Sequence, residues 1–299
     1  MDRKQNPPEW LGMLNLHKPS GISSREAVNC VQRQVAPAKI GHAGTLDPIA
    51  SGVLIVCVGK ATRLIEHLQR GTKSYRARFA LGRKSDTEDI EGEVELLDSP
   101  PIPTIQQLEA ALPRFLGTIS QRPPSFSAIK VKGQRAYHLA RRGDLVTLAA
   151  RPVEIHALTT IEYAYPDWTV EITCGSGTYV RSLGRDIAQS LGTEAIMTAL
   201  VRTAVGPFRL EDAVSLEQLE RDSVAAHLLQ PEVAFPEMPR LPLDHDACER
   251  FAVGMTVDSP SVPIGSEWTA FDPAGRCVGL ARQVEDRQAR ACVNFIARN

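Results

Sequence analysis

Val53-Leu54-Ile55-Val56-Cys57-Val58 is an unbroken apolar run rich in β-branched residues. A strand with one wet face alternates polar and apolar residues, so a continuous run of this length fits a strand covered on both faces. The chain has the material to cover it. Apolar residues make up 43% of its 299 residues and charged ones 23%, with 21 glycines and 21 prolines, which excludes disordered, collagenous and repeat-dominated chains. That length is about twice a usual domain, so two domains, or one large domain with an appendage, are expected. The run is far too short to span a membrane, and nothing near the N-terminus has the long apolar stretch of a secretory signal, which points to a cytoplasmic location. Six cysteines (Cys30, Cys57, Cys174, Cys248, Cys277, Cys292) stand at wide spacing with no CxxC pair, so neither a zinc site nor a disulfide framework is indicated, and reduced thiols are expected.

Leu11 to Leu16 reads as a strand stopped by Lys18-Pro19-Ser20-Gly21, and Ser24 as the N-cap of a helix through Val35. Gly41 to Pro48 is a glycine-rich loop, and Lys60 to Leu68 a short helix. Tyr75 to Leu81 alternates as a strand, an acidic loop follows, and Thr104 to Phe115 is helical. Trp168, Val170, Ile172 and Cys174 alternate with polar residues as a half-buried strand, broken by Gly175-Ser176-Gly177. Val180, Leu183, Ile187 and Leu191 keep helical spacing, placing Tyr179 and Arg181 in a first turn. Pro231, Pro236, Pro239 and Pro242 mark a linker, and a hairpin about Asp272-Pro273-Ala274-Gly275 follows in a small β-rich domain.

The net charge of -1 argues against a nucleic-acid partner, but its distribution reverses the argument. Lys60 to Lys84 holds eight basic residues and one acid, and Gln121 to Arg151 seven basics and one acid. Acids are concentrated elsewhere, with eight and no base from Asp86 to Glu109. Segregation of this kind suits a groove for an anionic polymer. Common cofactor motifs fail: six residues separate Gly52 from Gly59-Lys60 where a phosphate loop has four, and Val180 stands where a dinucleotide fingerprint needs its third glycine. The histidines lack metal-ligand spacing. Gly41-His42-Ala43-Gly44-Thr45-Leu46-Asp47-Pro48, in contrast, sets one acid between flexible glycines and the buried run, with Pro48 holding Asp47 extended.

That loop, with Ala50-Ser51-Gly52-Val53-Leu54 and Gly59-Lys60-Ala61-Thr62 after it, resembles the catalytic motif of the TruB-type tRNA pseudouridine-55 synthases. Lys18 to Ser24 resembles the family's N-terminal motif, Lys73-Ser74-Tyr75 its tyrosine motif, Gly177 to Leu183 its arginine motif, and Leu200 to Phe208 the motif that closes the pocket. The match runs in order over roughly residues 11–210, departing at His17, where an acid is common, and Val201, where a basic residue is common. The resemblance implies an α+β catalytic domain with a mixed, largely antiparallel sheet over 1–237, a basic thumb-like RNA-binding insertion over 121–151, and a PUA-like C-terminal domain over 238–299. It implies isomerisation of a T-loop uridine in tRNA, without cofactor or metal, by a monomer. Asp47 is then the nucleophile, Arg181 its cationic partner, and Tyr75 the flat surface against the flipped base. Tyr179 and Leu200 line the same pocket, and His42 fills the gap left by the base. Lys18, Lys130, Lys132, Arg141 and Arg142 are expected to contact RNA.

Three other readings use the same residues. A tRNA-binding folding chaperone would not need Asp47, Tyr75 and Arg181 together. A base-releasing glycosidase needs a second positioned carboxylate, and the sequence offers no obvious one. An RNA-guided pseudouridine synthase in a larger particle has less need of the basic insertion.

Overall fold

The computed structural model describes residues 10–126, 130–131, 134–135 and 148–296. The first part of the chain builds β1 (Leu11–Lys18), α1 (Ser24–Val35), β2 (Ile40–His42), β3 (Ala50–Gly59), α2 (Ile65–Arg70), β4 (Lys73–Leu81) and α3 (Ile105–Ala111). It continues with β5 (Gly117–Gln121), β6 (Arg151–Ala164), β7 (Asp167–Cys174), α4 (Val180–Ser190), β8 (Ala195–Val205), β9 (Phe208–Arg209) and β10 (Val214–Ser215). These ten strands form one sheet in the order β10-β1-β3-β8-β4-β7-β6-β5, with β2 on β3 and β9 on β8. Only the β10–β1 and β3–β8 pairs are parallel. The α+β class and the mixed, largely antiparallel sheet are as expected.

The apolar run lies within β3 and is buried on both faces because each face meets a different layer. Leu54, Val56 and Val58 pack with Ala27, Val28, Val31 and Val35 of α1. Val53, Ile55 and Cys57 pack with Ala61, Leu64 and Leu68 and with Phe271, Leu280 and Val293 from the end of the chain. The helix expected over Lys60 to Leu68 is a 3-10 turn, Lys60–Leu64, running into α2. A third apolar cluster lies under α4, where Leu183 and Ile187 meet Phe79 and Trp168, whose rings sit 5.4 Å apart. Gly184 makes this approach possible, since a Cβ there would meet Phe79 Cε1 at 2.1 Å.

The structure moves one boundary and adds elements. The N-cap of α1 is Ser23, whose Oγ accepts from Glu26 N in a capping box, and Ser24 is the first helical residue. Neither β6 nor β8 follows from the alternation rule, because each carries two register shifts that break the period of two. The later sheet runs β11 (Arg240–Pro242), β12 (Thr256–Asp258), β13 (Glu267–Phe271), β14 (Cys277–Glu285) and β15 (Gln288–Asn294), in the order β11-β13-β14-β15-β12. It fits the PUA-like β-rich unit and also carries a helix, α5 (His245–Ala252), absent from the sequence reading. Among the described residues, no helix is long and apolar enough to cross a membrane.

Candidate active site

Asp47 sits where the loop after β2 turns into β3, and the surrounding structure grips this loop by its main chain. Arg202 Nη2 donates to Gly44 O at 3.0 Å. The buried Ser24 hydroxyl donates to Leu46 O at 2.9 Å and accepts from Leu46 N at 2.8 Å. Gly21 N reaches Pro48 O at 2.8 Å, and Ser20 Oγ reaches Ile49 O at 2.9 Å. With the loop's polar groups paired in this way, little freedom is left to the backbone that carries Asp47. Gly52 is required just beyond: its φ is +106°, and a Cβ would lie 2.2 Å from Arg202 O on the parallel neighbour β8.

Arg181, in the first turn of α4, is buried, and its guanidinium is fully engaged. Nη2 lies 3.1 Å from Asp47 Oδ2 and donates to Phe126 O at 3.2 Å. Nη1 lies 3.3 Å from Asp89 Oδ2 and donates to Thr87 O at 2.6 Å. The fork is thus aimed by partners on three segments. The Asp47 side chain remains 39% exposed, so its carboxylate is held from one side and open on the other. The helix start is fixed by Gln121, whose side chain accepts from Tyr179 N at 2.8 Å and donates to Tyr179 O at 3.1 Å.

Tyr75 and Leu200 lie in one apolar cluster with Leu46, Ile49, Ala50 and Ala77. Tyr75 pairs with Arg202 across β4 and β8, and the Arg202 guanidinium donates to Val53 O at 2.7 Å and Gly44 O at 3.0 Å. Burial pushes the pKa of the Tyr75 hydroxyl up, so Tyr75 presents a neutral ring. Tyr179 is half-buried, and the contact its ring makes is with Arg151, whose guanidinium carbon lies 5.2 Å from the ring centre. His42 is half-buried on β2, opposite Val56, and burial lowers its pKa and keeps it neutral.

Lys18 departs from the RNA-contacting role. It is fully buried, and its Nζ donates to Pro19 O at 2.8 Å, Ile22 O at 2.6 Å and, more weakly, Pro48 O at 3.5 Å. Burial pulls its amine down to about 8, against the opposing pull of Asp47. Lys18 therefore supports the catalytic loop from within. The first basic segment is also less available than its count suggests: Arg76 pairs with Glu171 at 2.8 Å, Arg78 with Asp167 at 2.9 Å and Lys84 with Glu95 at 2.8 Å. Lys132, Arg141 and Arg142 lie outside the described residues, as does the side chain of Lys130.

The sequence reading missed Asp89, Ser24 and Arg202. Asp89 belongs to the acidic loop, where a solvated face is the natural expectation, yet its side chain is 2% exposed. Its neighbour Glu88 accepts from Ser182 Oγ at 2.6 Å and pairs with Arg185, and burial raises its pKa. Nothing in a stretch of eight acids singles out two as buried. Arg202 did leave a signal, a lone cation within the apolar stretch Ala199 to Val205.

The mixed sheet carries a half-exposed carboxylate paired with a buried arginine, and this chain belongs to the TruB family of pseudouridylate synthases. It matches the model of the TruB family pseudouridylate synthase N-terminal domain over residues 32–180, and that of the tRNA pseudouridylate synthase B C-terminal domain over 181–233. Its relatives include the tRNA pseudouridine synthase B of Rhodopseudomonas palustris, 41% identical with 90% of this chain and 77% of the relative covered. That of Ruegeria pomeroyi is 39% identical, with 97% and 98% covered. Among solved structures, an H/ACA RNP bound to a substrate RNA containing 2'-deoxyuridine superposes with a TM-score of 0.71 at 22% identity, covering 96% of this chain and 86% of that one. At that identity the likeness concerns the fold.

Proposed function

We propose that this protein converts uridine-55 in the T-loop of tRNA to pseudouridine, with Asp47 as nucleophile. The observation that carries this reading is the Asp47–Arg181 pair, open to solvent on the Asp47 side and bordered by Tyr75 and Leu200. An ionised carboxylate attacks a sugar or base carbon and later leaves, which divides one hard step into easier ones. Over the reaction the N1–C1′ bond breaks, the base turns, the C5–C1′ bond forms, C5 gives up its proton to solvent or base, and N1 takes one up, so the product is an isomer of the substrate. Nothing is oxidised or added, so the chemistry calls for no cofactor. Arg181 aims Asp47, and its second carboxylate, Asp89, fixes the guanidinium in turn. The target base lies inside a folded loop and must leave its stack, and the Tyr75 ring offers it a flat apolar partner. Leu200 and Tyr179 border that base, and His42 enters the gap it leaves.

Phosphate contacts are assigned to the thumb-like insertion, including Lys130, Lys132, Arg141 and Arg142, in a monomeric cytoplasmic enzyme. The later sheet, over 238–299, is read as a separate PUA-like domain. The relatives named tRNA pseudouridine synthase B, at about two-fifths identity over most of the chain, favour tRNA over the RNA-guided and chaperone readings. The test compares turnover efficiency on whole tRNA, the isolated T-arm stem-loop and a linear RNA of the same loop sequence. The stem-loop should approach whole tRNA, and the linear strand should be poor because binding must also order it. An inert stem-loop beside reactive whole tRNA would overturn T-arm recognition.

A further inference from the structure

Where α2 meets the later sheet, three residues of different chemistry converge. His67 comes from α2, Glu267 from the start of β13 and Cys292 from β15. Their imidazole nitrogen, carboxylate oxygen and thiol sulfur all lie within 4.8 Å of one another. His67 Nε2 is 3.7 Å from Glu267 Oε1, and neither ring nitrogen, both buried, has a hydrogen-bond partner. A buried imidazole with both nitrogens unpaired is costly and calls for a physical reason.

The spacing supplies one. At 3.7 Å the nitrogen and oxygen are too far apart for a hydrogen bond. Two ligands about 2.1 Å from a tetrahedral zinc ion stand roughly 3.4 Å from each other, so an imidazole and a carboxylate this close need only a small adjustment to hold one. Imidazole, carboxylate and thiolate are a zinc donor set, with a fourth position left for water.

The sheet sets where the thiol points, with Cys292 Sγ donating to Leu280 O at 3.3 Å, a bond that a metal would replace. Leu280 pairs with Val293 and Ala281 with Ala291, so Cys292 is the extra residue of a β-bulge, the device by which a strand re-aims one side chain. The Glu267 carboxylate is oriented by Arg282, whose Nη2 and Nε donate to Oε1 at 2.6 and 3.1 Å, so a cation would draw on Oε2 and leave Oε1 to the guanidinium. No spacing in the sequence announces the site, because its ligands lie 200 and 25 residues apart and come from three elements.

We propose that His67, Glu267 and Cys292 form a zinc-type cation site that fastens α2 to the later sheet. Three protein ligands leave it more open than the usual four-ligand structural zinc, but it serves this interface and plays no part in the isomerisation. It joins an interface that already includes the apolar contact of Leu64 and Leu68 with Phe271 and Val293, and a hydrogen bond from Arg63 to Asn294 O.

The test uses the full chain, stripped with a chelator and titrated with zinc alone against a competing chromogenic chelator, with bound metal counted by elemental analysis after gel filtration. One zinc per chain is expected, with a rise in Tm. Cys292→Ser and His67→Gln should each weaken binding by at least about tenfold, the scale on which lost ligation acts. Cobalt in place of zinc should give a sulfur-to-metal charge-transfer band that Cys292→Ser removes. Both variants should keep the circular-dichroism spectrum of the parent, so that lost binding is not lost folding. Substoichiometric zinc, binding unchanged in both variants, or a cobalt spectrum without the sulfur band would each overturn the site.

Discussion

Two short loops meet at Arg181 and differ in how far their acids are sealed in. In the loop from Ala43 to Ala50, the scaffold grips main-chain groups, through Arg202, Ser24, Gly21 and Ser20, and leaves the Asp47 side chain 39% exposed. In the loop from Ser85 to Glu91, it grips main chain and side chains alike: Arg181 donates to Thr87 O and Met197 bonds Glu88 O and Ile90 N, while Glu88 is held by Ser182 and Arg185 and Asp89, 2% exposed, by Arg181. A nucleophile needs a fixed backbone and a free carboxylate, whereas an acid that only orients a cation can be sealed in. The same guanidinium serves both because each of its nitrogens faces a different loop.

If the division of labour is right, substitutions on the two loops separate. Asp47→Asn should abolish turnover and leave tRNA affinity largely intact, because the amide is close in shape but not nucleophilic. Substantial product from clean variant protein would remove Asp47 from that role. Arg181→Lys comes next. A lysine keeps the charge but cannot hold two carboxylates and two carbonyls at once, so kcat should fall by about 10²-fold or more, together with some loss of stability. Equal activity in single-turnover assays would mean that charge alone suffices.

Asp89→Asn removes one charged partner of the guanidinium and leaves Asp47 untouched. The loss of a hydrogen bond to a charged group is worth about 1.5–3 kcal/mol, so kcat should drop by about 10- to 100-fold while KM changes little. An effect confined to KM would place Asp89 in substrate binding instead. Ser24→Ala acts on the other loop, stripping Leu46 of two buried partners. About 1–3 kcal/mol of stability should be lost, with a smaller decline in kcat than for Asp89→Asn. Thermal unfolding and kinetics on one preparation would check both.

The unequal legibility of the two loops has a physical cause. The Asp47 loop advertises itself through glycines, a proline and the apolar run behind it, all of which constrain the backbone and leave marks in composition. The α4 spacing likewise marks the helix that carries Arg181. Asp89 stays hidden because burial of a charge depends on what lies across from it. Its partner is 92 residues away on α4, and the neighbouring acids Asp86, Glu91 and Glu93 carry the same local signal. Lys18 misleads for the same reason, since a lysine near a loop resembles a surface cation until three carbonyls are found around it. The β6 and β8 strands escape because bulges erase their alternation and neither carries the unbroken apolar run that marks β3.

The smallest effect expected on chemistry comes from the insertion. Neutral residues at Lys130, Lys132, Arg141 and Arg142 should leave single-turnover chemistry at saturation nearly unchanged. They should flatten the salt dependence of tRNA binding by up to about 0.7–0.9 log unit for each phosphate that is no longer neutralised. A slope identical to the parent's would make these residues a solvated face.

Everything here turns on the product. Unmodified tRNA transcript incubated with the purified chain should be analysed for pseudouridine at every position, with free uracil measured in the same reaction. The account predicts pseudouridine at a single T-loop uridine and no released base. Uracil released with an abasic ribose left behind, or tight tRNA binding with no modified uridine at any position, would contradict it.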